Sequence, residues 1–251
     1  MEIGAGNKNI VITGCTSGIG FETLKILSKE NYNIIACSRN FNEDFLSEIN
    51  LIEKKEKNKI IKINLDLSNE ESVTKAGKEI LNLNLPISGL VNNAGVIANG
   101  LFQMTSSKVL KEVFQVNFFS QFLFTQYVIK SILKNKEQNK SIVNVASTSA
   151  FDKIVGRGVY SSSKAAIISL SMTLSKELSR YNIRVNTISP GITDTKMLHQ
   201  NTDVEILKST IKNLSIKRIA NKNEIANVIS FLLSEKASYI TGQNIRIDGG
   251  L

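Results

Sequence analysis

Apolar, β-branched runs alternate with helix-period segments along this whole chain, and that alternation constrains the fold more than any other feature. NIVIT at 9–13, NIIAC at 33–37, KIIKINL at 59–65, GLVNNAG at 89–95, SIVNVAS at 141–147, NIRVNTI at 182–188 and QNIRID at 243–248 are predicted as strands. The first six are continuous apolar runs, the pattern of parallel strands covered on both faces. Segments of 3.6-residue period lie near 19–30, 43–56, 69–82, 105–134, 159–180 and 223–234. Repeated βα units predict a doubly wound α/β domain, with a seven-stranded, mostly parallel sheet between two helical layers. No Pro/Gly/Ser linker or composition break divides residues 1–251, so a single domain is expected.

Composition narrows the function classes. With 251 residues, 42% hydrophobic and 21% charged, the chain can bury a substantial core and is not disordered. No run approaches the length of a membrane span. The N-terminal MEIGAGNKN lacks the basic and apolar regions of a secretory signal and reads as a lead-in to the first strand. The net charge of +9 comes from lysines dispersed along the chain, with few arginines and no dense basic cluster. That pattern does not point to nucleic acid, but a positive field gathers anionic partners such as a nucleotide phosphate or an acidic carrier protein. Cys15 and Cys37 form neither a metal motif nor a disulfide framework; they read as small, semi-buried thiols of a reduced, cytoplasmic protein. No metal site is expected. His199 is the single histidine, so a His-based triad is excluded unless its own segment supplies one.

That segment, 192–220, follows Pro190-Gly191 and makes a long polar excursion before the last helix. Excursions of this length are often lids, and a substrate lid is expected here, with a surface helical insertion as the other reading. The stretch 113–133 is rich in phenylalanine. Phe114, Phe118, Phe122 and Phe124 read as core or as an interface between copies, which predicts a homodimer or homotetramer.

The nucleotide end is written in the turn Gly14, Cys15, Thr16, Ser17, Gly18, Ile19, Gly20, which follows a strand and opens a helix. Gly14 permits the sharp turn, Gly18 lets backbone approach a pyrophosphate, and Gly20 lets the helix pack closely. Free N–H groups and the positive helix end then face the phosphates. A Rossmann-type dinucleotide site follows. At the end of the second strand the chain reads Ala36, Cys37, Ser38, Arg39, Asn40, with no acid before Glu43. An acid there would hold a ribose 2′-hydroxyl; Arg39 instead suits a 2′-phosphate, which points to NADP(H). The other reading leaves Arg39 in solvent. Asp66 and Leu67 end the third strand, and Asn92, Asn93, Ala94 and Gly95 the fourth. Both belong at the carboxyl-end crevice, where Asp66 can accept from an adenine amino group and the asparagines brace the sheet end.

The chemical end rests on Asn117, Ser147, Tyr160 and Lys164. Hydride transfer to a ketone leaves charge on oxygen, which needs a proton and a hydrogen-bond donor. Lys164 lies one helical turn beyond Tyr160 on the same face, and its ammonium is expected to lower the phenol pKa. Lys164 is also placed to hold nicotinamide ribose hydroxyls. Ser147 can donate to the substrate oxygen, and Asn117 can bind a water that relays protons past Lys164. A tyrosine with lysine four residues on is weak alone. It gains weight from Ser147, 13 residues earlier at a strand end, and from the glycine turn.

Taken together, the chain resembles the short-chain dehydrogenase/reductase family along essentially its whole length. Residues 13–20 match that family's TGxxxGxG, 92–95 its NNAG, and Asn117, Ser147, Tyr160 and Lys164 its catalytic tetrad. Pro190, Gly191 and Thr195 match its PGxxxT; the resemblance implies that Thr195 and Ile192 touch the carboxamide and pyrophosphate side of the cofactor. Arg39 matches the position that marks NADP(H)-preferring members. Within the family the tail FLLSEKASYITGQNIRIDGG and the segment PGITDTKM are most similar to β-ketoacyl-acyl carrier protein reductases. That similarity implies an NADPH-dependent reduction of a 3-oxoacyl thioester in fatty acid synthesis. Lys136, Lys140, Lys176 and Arg180 would then flank the cleft and dock the carrier, with Tyr181 where an arginine is usual. The alternatives are a reductase of a sugar or other small carbonyl, or a noncatalytic NADP-binding regulator, against which the intact tetrad argues.

Overall fold

In the computed structural model, which describes residues 8–251, a single sheet orders its strands β3-β2-β1-β4-β5-β6-β7. These are β1 Asn9–Thr13, β2 Asn33–Ser38, β3 Ile60–Asn64, β4 Ile87–Asn92, β5 Lys140–Val145, β6 Ile183–Pro190 and β7 Asn244–Ile247. Every neighbouring pair is parallel. The expected sheet was mostly parallel; each strand in fact returns through a crossover, so no antiparallel edge forms. The expected lead-in at the N-terminus lies largely outside the described residues.

The period of two along the strands builds two cores. Ile10 and Ile12 face one side with Leu24, Leu27, Ile49, Ile225 and Ile229, under α1 (Gly18–Lys29), α2 (Glu43–Glu56) and a C-terminal helix (Lys222–Leu233). Val11 between them faces the other with Ile80, Phe124, Val128 and Val185, under α3 (Glu70–Asn82) and two later helices. Both faces are therefore apolar, which is why the strands read as unbroken hydrophobic runs. Helix starts follow local chemistry: Asn42 and Asn69 cap α2 and α3 by accepting from Phe45 N at 3.0 Å and Ser72 N at 3.1 Å.

The segment 105–134 is not one continuous α-helix. It runs as α4 (Ser107–Phe114), a π-helical turn (Gln115–Phe119) and α5 (Ser120–Lys134). The turn carries Asn117, which is fully buried. Irregular turns of this kind inside helices concentrate at functional sites because they re-aim a side chain. Next comes α6 (Gly158–Glu177), with Tyr160 and Lys164 on its buried side.

Among the four aromatics read as core or interface, Phe124 is wholly buried in the core, Phe114 and Phe118 are partly buried, and Phe122 remains exposed, as does the neighbouring Phe119. Helical period decides this, since Phe124 shares a face with Val128 and not with Phe122. The excursion folds into α7 (Lys196–Asn201) and α8 (Val204–Asn213), followed by α9, the C-terminal helix above. Its two ends are pinched together. Ala220 N donates to Ile192 O at 2.9 Å and Asp194 N to Ala220 O at 2.9 Å. Neither helix buries a residue. No helix among the described residues is long and apolar enough to cross a membrane.

Candidate active site

The strand order reverses between β1 and β4, and the crevice at that switch point opens at the carboxyl ends of the strands. It is a cleft of about 900 Å³. One end is built on the glycine turn. Gly14 has φ +64°, and a Cβ there would lie 2.8 Å from Ala94 Cα. A Cβ on Gly20 would run into the Gly14 carbonyl and the Asn93 amide. Ser17 begins α1 without a side-chain cap, leaving the first N–H groups of that helix free at the cleft. Such a cradle, open to backbone donors and closed to side chains, fits a pyrophosphate.

Thr16, Gly18, Ile19, Ser38, Arg39, Asp66, Leu67, Asn93, Ala94 and Gly95, all expected at this end, line the same cleft, whereas Gly20 and the buried Asn92 stand behind it. Thr16 and Ser38 link their hydroxyls at 3.2 Å across the β1 and β2 turns. Arg39 is exposed on the rim, close enough for its charge to help lower the Asp66 pKa, after the larger effect of the Ser68 hydroxyl. Asp66 Oδ1 accepts from Ser68 N at 2.9 Å and Ser68 Oγ at 2.7 Å. The asparagines brace, as expected. Asn93 Nδ2 donates to Thr13 O and Gly14 O at 3.1 and 3.0 Å, and Asn92 Nδ2 to Thr125 Oγ1 and Asn144 Oδ1 at 2.9 and 2.8 Å. These bonds draw residues 93–95, expected inside the fourth strand, out of the sheet and across the turn. Cys15 and Cys37 are fully buried; burial pushes the Cys15 thiol up to about 12 and Cys37 well above its usual value, so neither is a ready nucleophile.

The other end gathers Ser147, Tyr160 and Lys164 with Pro190, Gly191, Ile192 and Thr195. Ser147 sits just beyond β5, and its hydroxyl accepts from Ser149 N at 3.2 Å. Burial raises the Tyr160 phenol above its usual pKa, while Ser147 and the Arg157 guanidinium pull it down. Lys164 lies on the same helix face, its Nζ 5.9 Å from the centre of the Tyr160 ring. Its Nζ donates to Val145 O at 2.8 Å, and burial alone lowers it to about 8. Asn117 is fixed by its amide: Oδ1 accepts from Val96 N at 2.8 Å, and Nδ2 donates to Val96 O at 2.8 Å and Ser163 Oγ at 3.0 Å. Its side chain thus ties the post-β4 loop to α6.

Three features escaped the sequence reading. Arg157, three residues before Tyr160, has its guanidinium carbon 6.0 Å from that ring's centre. The i−3 spacing was a visible signal, since such residues share a helix face. Ser163 ties Asn117 to the Tyr160 carbonyl, donating to it at 2.7 Å. Arg246 reaches from β7 to Asp152 at 3.3 Å, fastening the loop beside the cleft; only the tertiary fold brings these two together.

Lys136, Lys140, Lys176 and Arg180 do not flank this cleft. Lys176 is sixteen residues along α6 from Tyr160, about 24 Å at 1.5 Å per residue. Lys140 opens β5 and Ser147 follows its far end, so the pair spans the sheet. Lys140 is also buried, donating to Asn135 O at 3.3 Å. His199 lies outside the cleft lining, exposed and paired with Asp194 at 2.8 Å. The excursion does line the cleft, through Met197, Leu198, Thr202, Ile206 and Thr210.

A doubly wound sheet with a phosphate cradle at one end of its switch-point cleft and a tyrosine, serine and lysine at the other defines an α/β nucleotide-dependent oxidoreductase. The chain belongs to the short-chain dehydrogenase/reductase family: residues 14–251 match the family model described as enoyl-(acyl carrier protein) reductase. It is 35% identical to a 3-oxoacyl-acyl carrier protein reductase of Aquifex aeolicus, covering 100% of both chains. It is 34% identical to an L-xylulose reductase of Caenorhabditis elegans, over 97% of this chain and 95% of that one. Among solved structures, a 4-hydroxyisoleucine dehydrogenase complexed with NADH is 31% identical, with a TM-score of 0.87 and coverage of 97% and 98%. The family's cofactor is a nicotinamide dinucleotide, which the glycine cradle fits.

The buried Lys164 makes a prediction about stability. Unfolded, a lysine keeps its proton to near 10.5; folded, Lys164 loses it near 8, so the unfolded chain binds more protons between those values. Stability therefore rises with pH in that window, by up to about 3 kcal/mol at ~1.4 kcal/mol per pH unit. The buried thiols act oppositely above about pH 9. Urea unfolding of wild type and Lys164→Met across pH 7–10 isolates the lysine: the wild-type-minus-variant difference should climb from pH 8 upward. A difference independent of pH would mean that Lys164 titrates normally.

Proposed function

We propose that the protein is an NADP(H)-dependent reductase of a 3-oxoacyl group carried as a thioester on acyl carrier protein, acting in cytoplasmic fatty acid synthesis. The observation that carries the ketone reduction is the convergence of Ser147, Tyr160 and Lys164 on one cleft with the Gly14–Gly20 cradle. The 3-oxoacyl substrate is supported by the full-length similarity to reductases named for it, including those of Aquifex aeolicus and Thermotoga maritima. NADP(H) is supported by Arg39 on the rim, where a 2′-phosphate would find a guanidinium and no competing acid on β2.

A nicotinamide dinucleotide held by the Gly14–Gly20 cradle would supply the hydride for the ketone carbon. Tyr160 gives its phenolic proton to the resulting alkoxide oxygen, while Ser147 donates a hydrogen bond to the same oxygen. Lys164 would hold the cofactor's ribose hydroxyls. Asn117 keeps the post-β4 loop at its distance from α6. The 192–220 excursion closes over the substrate on its pinched neck and excludes water. A second reading, reduction of a sugar or other small carbonyl, is favoured by the similarity to L-xylulose reductase.

The assembly belongs to this reading. Leu110, Phe119, Phe122, Leu133 and Met172 leave an exposed apolar surface on α4, the π turn, α5 and α6, suited to a twofold contact in a homodimer or homotetramer. With α6 antiparallel to its copy, the end bearing Lys136, Lys176 and Arg180 comes beside the Tyr160 end of the other copy. A carrier's acidic surface would meet those cations there.

Four outcomes follow. Tyr160→Phe should lower kcat by about 10²–10⁴-fold with NADPH binding nearly unchanged; stopped-flow turnover beside a fluorescence Kd separates the two, and a variant keeping most of its kcat would sink the mechanism. Arg39→Asp should shift the NADPH/NADH preference in kcat/KM by about 30–1000-fold, and an unmoved ratio would remove Arg39 as the reader. Light scattering at micromolar concentration should give a dimer or tetramer; a lone monomer contradicts the interface. Finally, kcat/KM for a carrier-bound 3-oxoacyl group should fall with salt and with Lys176→Glu, while a small neutral ketone is spared. Equal salt dependence, or no activity on any 3-oxoacyl thioester, would favour the small-carbonyl reading.

A further inference from the structure

When Tyr160 gives up its proton, a phenolate is left inside a buried site, and some positive charge must face it. Lys164 is one such charge, its Nζ 5.9 Å from the ring centre and bonded to Val145 O at 2.8 Å. Arg157 has different properties. It is half-buried at the start of α6, lines the cleft, and points its guanidinium at the Tyr160 ring from 6.0 Å. The acids of the cleft are engaged elsewhere: Asp152 with Arg246 at 3.3 Å, and Asp66 with Ser68 at 2.7 Å. Among the described residues no acidic side chain pairs with Arg157. Arginine, unlike lysine, stays charged at any working pH.

We propose that Arg157 is the permanent counter-charge of the Tyr160 phenolate, a positioning residue that favours the charged state left after proton transfer. The O–H bond of Tyr160 breaks, the alkoxide oxygen takes the proton, and the negative charge that moves to the phenol is met by the guanidinium. The remaining groups near the phenol are few. Lys164 lies on the same helix with Nζ 5.9 Å from the ring centre. Ser147 comes from the end of β5, and Asn117 from the π turn with its side chain already bonded. Lys153 and Asp152 come from the loop before α6, and Lys196 from the excursion, all on the cleft wall. Tyr160 also lies in the first turn of α6, where the helix dipole favours negative charge. The influence of Arg157 on Tyr160, in the direction of the phenolate, agrees with this geometry. Its catalytic consequence rests on Tyr160 being the proton donor proposed above, whichever ketone is reduced.

Alcohol oxidation needs the phenolate, so its low-pH limb reports the Tyr160 pKa. With NADP⁺ and a secondary alcohol that the wild type oxidises, Arg157→Gln should move that limb of kcat/KM up by about one pH unit. Arg157→Lys, which keeps a cation, should largely restore it. A residue that merely supported the fold would lower the rate at every pH alike and leave the limb in place, and that result overturns the proposal. A second measurement needs no substrate. Tyr160→3,5-difluorotyrosine lowers the intrinsic pKa, and its fluorine resonance can be titrated with Arg157 and with Arg157→Gln. The Gln form should titrate at higher pH, and coincident curves overturn the proposal. A displaced fluorine curve in a protein that reduces no ketone would count against the reductase reading and for the counter-charge.

Discussion

The junction of β1 and β4 is the constraint on which the rest of this structure depends. Thr13 Oγ1 accepts the backbone N–H groups of Asn93 and Ala94 at 3.0 and 3.1 Å, and the Asn93 amide returns two bonds to Thr13 O and Gly14 O. Buried backbone groups at the end of a strand pair have no further ladder to join, so each would cost about 1–3 kcal/mol if left unmet. Here they are met across the switch point. The same bonds hold the glycine turn against Ala94, so closely that neither Gly14 nor Gly20 has space for a side chain. The cleft is therefore a consequence of how two strands end, and its phosphate cradle is shaped by bonds within the protein itself.

At the other end the governing effect is burial. Tyr160 and Lys164 are both almost wholly removed from solvent, and burial disfavours the charged form of each. At Tyr160 the Ser147 hydroxyl and the Arg157 guanidinium work against that effect. Asn117 contributes by geometry. The π turn drops its amide into the gap between the post-β4 loop and α6, where three hydrogen bonds fix the spacing of the two walls.

How the binding and chemical ends share one chain also explains its surface. The sheet's carboxyl edge carries the cleft, so the loops there are long, polar and functional, while the helix ends at the amino edge carry lysines and Arg180. Placing those cations beside the cleft failed for a simple reason. Proximity in sequence to β5 and α6 does not say which end of the element a residue occupies, and the ends are some 24 Å apart. The phenylalanines of 113–133 divide between core and surface for the same kind of reason: spacing along a helix sorts residues onto faces, but which face meets the sheet is set by the packing of α3 and α5.

By itself the sequence determined the doubly wound sheet of seven strands, the glycine cradle, and the gathering of Ser147, Tyr160 and Lys164. All of these rest on local rules: continuous apolar runs, turn residues that tolerate positive φ, and i, i+4 neighbours on one helical face. Tertiary structure alone decided the direction in which Lys164 Nζ points, the engagement of the Asn117 amide, the burial of Phe124 and the clasp between Arg246 and Asp152. Each is a contact between elements far apart in the chain, and a side chain's partner there depends on distances that no local periodicity encodes. The pKa order of the site follows the same division, because desolvation is a property of everything that surrounds a group and not of its neighbours in sequence.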